Sequence, residues 1–121
     1  MNHAAQTYDK IATQTANPRE LEADLLLKAA ARLQTIHDAW DSKRADLDEA
    51  LMYNSKLWTI FVTSATNPDN PMPVDIRRNV ADLGVFVFNQ TLATMTNRKP
   101  ENLGSLININ RELAAGLLGH A

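Results

Sequence analysis

Along this chain apolar residues recur every three or four positions and almost never alternate, so the period is helical from end to end. Residues 4–16 place Ala4, Ala5, Tyr8, Ile11, Ala12 and Thr15 on one face, which predicts a short first helix. A sharper start follows. Asn17 can cap, Pro18 suits the first helical position, and Glu20 can reach back to the cap as in a capping box. From there Leu21, Leu25, Ala29, Leu33, Ile36 and Trp40 line one side of a second helix, with Arg19, Glu22, Lys28 and Arg32 on its exposed side. Between Arg19 and Asn67 there is neither proline nor glycine, and Leu47, Leu51, Asn54, Trp58, Phe61 and Ala65 extend the stripe. One long helix satisfies that spacing. So does a break near Asp41-Ser42, which we favour, because either residue can cap and Asp46, Asp48 and Glu49 crowd the turns that follow.

The segment Asn67-Pro68-Asp69-Asn70-Pro71-Met72-Pro73 has to be a loop, since its three prolines cannot continue a helix and Asn and Asp form turns. Pro73 opens a fourth helix with Asp75 in its first turn, and Asn97-Arg98-Lys99 stop it. Pro100 and Glu101 begin a fifth, which buries Leu103, Leu106 or Ile107, Leu113 and Leu117 and can end on Gly119 as a C-cap. The expected fold is all-α: a single domain over residues 1–121, an antiparallel bundle of about five helices.

Two stretches are unusual for a simple bundle. Neither Leu57–Pro68 nor Leu83–Asn97 contains a charged residue. On the fourth helix Ile76, Val80, Leu83 and Val87 make one apolar stripe, Phe88, Leu92 and Met95 make a second rotated from it, and Val85 and Phe86 widen the surface. A helix apolar nearly all round is either the buried centre of its fold or is covered by something else, such as a partner's amphipathic helix.

Composition removes several kinds of chemistry. At 121 residues the chain can bury one core without crosslinks, and it has no cysteine, which excludes disulfides and thiolate sites and fits a reducing compartment. The net charge of −2 and the short, scattered basic pairs lack the footprint of a nucleic-acid binder. No basic cluster precedes an apolar core at the N-terminus, and no window approaches a membrane span, so a cytoplasmic protein without membrane contact is expected. His3, His37 and His120 are far apart and show no metal-ligand spacing. Phosphate loops and nucleophile elbows are absent. No catalytic residue, metal or cofactor is expected, and the protein reads as one that holds another macromolecule.

Four segments taken together, ANPRELEADLLLKAAARL (Ala16–Leu33), LDEALMYNSKLWTIFV (Leu47–Val62), NPDNPMPVDIRRNVADLGVFVF (Asn67–Phe88) and LININRELAAGL (Leu106–Leu117), resemble the FlaF flagellar-biosynthesis regulators. The resemblance runs over almost the whole chain. It implies a protein that binds flagellin in the cytosol in the manner of a secretion chaperone and, with FlbT, couples flagellin synthesis and secretion to filament assembly. Flagellin's terminal segments, disordered before assembly and helical in the filament, are the implied ligand. From the uncharged stretches the expected flagellin-contacting residues are Leu57, Trp58, Phe61, Val62, Phe88 and Leu92, with Asn54 and Asn110 hydrogen-bonding the bound segment. FlbT is a further candidate partner, and the protein is expected to be a monomer or weak homodimer. The competing reading is direct contact with flagellin messenger RNA, which needs Arg77, Arg78, Arg98 and Lys99 to converge on one face.

Overall fold

The computed structural model describes residues 17–119, and no strand occurs among them. Four helices run longer than one turn: α1 (Pro18–Asp38), α2 (Leu47–Ala65), α3 (Val74–Thr96) and α4 (Gly104–Leu117). The protein is all-α, and these four correspond to the second to fifth expected helices. The first, at 4–16, lies outside the described residues.

The helix ends follow the local chemistry. Asn17 Oδ1 accepts from Arg19 N at 3.1 Å and Glu20 N at 3.3 Å, and Pro18 supplies the first helical residue. The break between α1 and α2 is real, but it falls at Ala39, where φ −124° and ψ 46° leave the helical region. One helical turn, Trp40–Lys43, and a 3-10 turn, Arg44–Asp46, then lead into α2. Neither Asp41 nor Ser42 caps a helix; the Ser42 hydroxyl instead donates back to Ala39 O at 3.2 Å. In the proline loop Asn67 Oδ1 accepts from Asp69 N and Asn70 Oδ1 from Met72 N, which turns Met72 into the core. Arg77 closes the end of α2, its guanidinium donating to Ala65 O and Asn67 O. A 3-10 turn, Pro100–Leu103, precedes α4, and Gly119, at φ 78°, ends it in the left-handed conformation a glycine C-cap adopts.

α1 packs most extensively on α4, and α2 bridges α1 and α3. The ion pairs show the directions: Arg32 of α1 meets Glu49 of α2, and Asp48 at the start of α2 meets Arg98 just past α3, so α1/α2 and α2/α3 are antiparallel. The buried line of α1 runs through Ala23, Leu26, Ala29, Ala30, Leu33 and Ile36. Leu21, Leu25 and Trp40, expected on that line, are only half-buried. Glu22, expected on the exposed side, is buried, because it stands one turn before Leu26 on the core line. Arg19 accompanies it, with Nε 2.9 Å from Glu22 Oε1. A carboxylate taken out of water needs such a partner. All five apolar positions expected on the last helix are buried, Leu106 and Ile107 both included.

α2 and α3 come unusually close. A Cβ on Gly84 would lie 2.5 Å from Val62 Cγ2, closer than van der Waals contact permits. Val62 is β-branched and stiff in a helix, so it cannot easily turn aside. Gly84→Ala is therefore expected to destabilise the protein by about 1 kcal/mol, the overpacking strain outweighing the helix-propensity gain. In a Val62→Ala background the same substitution is expected to become neutral or stabilising. Urea denaturation of the four proteins checks both signs.

Candidate functional site

The eight residues expected to contact a partner are not brought together. Asn54, Leu57, Trp58, Phe61 and Asn110 lie in the core, Trp58 and Phe61 with no exposed surface at all and packed edge-to-face with ring centroids 6.4 Å apart. Their expected contact role gives way to a structural one. Trp58 Nε1 donates to Asn110 Oδ1 at 2.8 Å, and Asn110 Nδ2 donates to Asn54 Oδ1 at 2.7 Å and to Leu26 O at 3.2 Å. The two asparagines thus join α1, α2 and α4 from inside and have no exposed surface. Val62 is half-buried against Gly84.

Phe88 and Leu92 are different. α3 buries only Val80, Gly84, Val87, Thr91 and Thr94, so it is a flank of the bundle and not its centre. The second stripe stays open: Leu92 is 64% exposed and Val85 61%, while Phe88 and Met95 are half-buried at the seam with α2. Opposite them α2 presents Met52, Ser55 and Thr59. Together these walls enclose an open groove of about 280 Å³ lined by Met52, Ser55, Thr59, Phe88, Thr91, Leu92 and Met95. Phe86, 43% exposed, stands apart on the other side of α3.

No charged residue lines the groove. Its threonine hydroxyls are turned back onto their own helices, Thr59 to Ser55 O at 2.9 Å and Thr91 to Val87 O at 2.6 Å, so neither hydroxyl is offered to the groove. What remains is methionine, leucine and phenylalanine, an adaptable apolar wall of the kind a flexible partner can be packed against. Met52 was not among the expected contacts. Its signal was its spacing, four residues before Lys56 and seven before Thr59 on the outward face of α2.

A second hollow, of about 340 Å³, lies between α1 and the turns after it, lined by Arg32, Thr35, Ile36, Lys43 and Asp46. It mixes charges of both signs, and Arg32 is already held, paired with Glu49 at 3.2 Å and placed 6.0 Å from the Tyr53 ring centre. Nearby Asp38 is held below its usual carboxyl range by a hydrogen bond from His37, then by one from Gln34, on the exposed end of α1. None of these residues lines the groove. Among the described residues no group of three or more His, Asp or Glu side chains is placed to hold a metal ion.

The basic residues needed for RNA contact do not converge. Arg77 and Arg78 sit in the first turn and a half of α3, whereas Arg98 and Lys99 follow its last. Some 20 helical residues separate them, about 30 Å. Arg77 is committed to the end of α2 and Arg98 to Asp48, at 2.6 Å. Among the described residues no helix is long and apolar enough to cross a membrane.

Neither the curated proteins nor the solved structures contain a match to the chain. Residues 4–117 match the family described as flagellar protein FlaF, which takes in all four described helices, the proline loop and both walls of the groove. With nearly its whole length matched, the chain belongs to the FlaF family of flagellar proteins.

Proposed function

We propose that this FlaF protein binds flagellin in the cytosol, chaperone-like, at the groove between α2 and α3, and so couples flagellin synthesis and secretion to filament assembly together with FlbT. The observation that carries the reading is the uncharged apolar groove, with Leu92 64% exposed and Phe88 and Met95 half-buried along its α3 wall. Contiguous exposed apolar surface in a small protein marks an interaction site. Unassembled flagellin offers the complementary chemistry, since its terminal segments have apolar faces and nothing yet to pack them on. Family membership supplies the flagellar context, in a family of flagellar proteins and not of enzymes. No observation favours RNA as the ligand.

Copurification tests the reading. Tagged protein expressed with flagellin from the same cell is expected to bring flagellin down in a stoichiometric complex from the cytosolic fraction. Absence of a complex with flagellin in excess would refute it. Alanine substitutions at Trp58 or Phe61 are unsuitable probes, because both would open cavities in the core.

A further inference from the structure

The groove's own geometry restricts what shape can occupy it. Five residues along α3, Ala81, Val85, Phe88, Leu92 and Met95, are spaced by four, three, four and three. None is sealed in the core: Val85 and Leu92 are exposed and Ala81, Phe88 and Met95 half-buried, with Phe88, Leu92 and Met95 lining the groove. That alternation is the seam of a helix that packs against another helix at a shallow angle, knobs into holes. From Ala81 to Met95 the seam runs about 21 Å, four helical turns.

The walls offer almost no hydrogen bonds. Both are helix interiors whose backbone groups are paired within the helix, and the threonine hydroxyls are spent on carbonyls of their own helices. Ser55 is the one lining side chain whose hydroxyl has no protein acceptor, among the described residues. An extended peptide seated here would bury backbone N–H and C=O groups with nothing to receive them. A helix brings its own backbone bonds.

One charge stands beside the seam. Between Glu49 and Asp69, and between Asp82 and Arg98, Lys56 is the single charged residue. It is exposed, one turn from Met52, and forms no ion pair among the described residues. Because no acidic residue lines the groove, a second copy of the chain laid face to face on it would bring Lys56 no counter-charge from the groove lining itself. A partner with an acidic flank would.

We infer that the groove takes an amphipathic α-helix of about four turns, laid along α3 with an acidic side chain beside Lys56. This rests on the proposed docking at the groove and adds the bound shape and charge of the ligand.

The test uses the full chain and fluorescently labelled synthetic peptides of about 20 residues, long enough for the four-turn seam. One has leucines at alternating three- and four-residue spacing flanked by glutamates. The second has lysines in place of the glutamates. The third keeps the leucines and glutamates but carries two prolines at outward-facing positions. By anisotropy the glutamate peptide is expected to bind, the lysine peptide about three- to tenfold more weakly, and Lys56→Glu is expected to reverse that order. The proline peptide is expected to lose at least about tenfold, the cost of a broken helix. Leu92→Glu, at an exposed position, is expected to abolish binding of the glutamate peptide and so exclude adhesion elsewhere.

Equal binding of the proline peptide would overturn the inference in favour of an extended occupant, and a peptide order indifferent to Lys56→Glu would overturn its charge. Self-association of the chain alone that Leu92→Glu disrupts, read by sedimentation, would overturn it in favour of a second copy. Flagellin binding is measured in parallel. If flagellin does not bind but the glutamate peptide does, with its Lys56 and Leu92 dependences, the helical inference stands and the flagellin reading falls. If flagellin binds in a Leu92-dependent way and the proline peptide binds as well as its parent, the flagellin reading stands and this inference falls.

Discussion

Replacing Asn110 with leucine is expected to lower stability by about 3 kcal/mol, although leucine is close to asparagine in size and far better suited to an apolar core. The reason is what asparagine leaves behind. Trp58 Nε1 and Asn54 Oδ1 are both buried, and Asn110 is the partner of each, at 2.8 and 2.7 Å. Without it a buried donor and a buried acceptor go unpaired, each at about 1–3 kcal/mol. The third contact, to Leu26 O at 3.2 Å, matters less, because that carbonyl also sits within the helix α1. For a chain whose whole stability is on the order of 5–15 kcal/mol, such a loss lowers the melting temperature by roughly 10 °C. A cycle with Trp58→Phe separates this from simple misfit. Phenylalanine has no N–H to orphan, so the cost of Asn110→Leu is expected to shrink by about 1 kcal/mol or more in that background. Equal costs in both backgrounds, measured by urea denaturation, would mean that the network does not hold the helices together.

Leu92→Glu is expected to do the opposite: leave the fold intact and remove binding. At 64% exposure Leu92 contributes little to the core, and glutamate is a good helix former, so stability is expected to stay within about 0.5 kcal/mol of the parent. A bound partner would press that carboxylate into the uncharged wall formed by Met52, Phe88 and Met95. Burying it unpaired costs at least about 2 kcal/mol, which weakens flagellin binding some 30-fold or more. Calorimetric titration of flagellin against parent and variant, with circular dichroism to show the fold retained, reads both halves. Unchanged affinity would move the docking surface elsewhere. The contrast between the two substitutions separates the role of the core from that of the groove, which residue type alone does not.

That contrast also marks what could be read in the sequence. Pro18, Pro73 and Pro100 punctuate the chain in the same way in three dimensions as on paper, since a missing N–H and a fixed φ act locally. Asn17 likewise caps within its own turn. The second stripe of α3 was legible as a stripe, and its exposure was the open question. Whether an apolar helix face is covered depends on how many other helices reach it, which no local pattern contains. The asparagines show the same limit. Asn54 and Asn110 stand among apolar neighbours 56 positions apart, and that spacing suits a polar contact in a groove as well as a polar pair in a core. Only the fold brings them, with Trp58, to one point. Glu22 misled for a related reason: charge predicts exposure until a neighbour such as Arg19, one turn away, accompanies it inward. Lys56 and Met52 drew no notice in the sequence because a lone lysine and a lone methionine on an outward face are ordinary, and they gain meaning only beside Leu92 and Met95.

The central claim is that flagellin sits between α2 and α3. Nuclear magnetic resonance of the methyl-labelled chain during titration with unlabelled flagellin tests it most directly. The methyl signals of Met52, Leu92 and Met95 are expected to shift together and saturate at one equivalent, while those of Leu33 and Leu106, deep in the core, hold their positions. Shifts confined to Leu27 and Leu118, exposed apolar residues outside the groove, with the three groove residues' methyls unmoved, would contradict it.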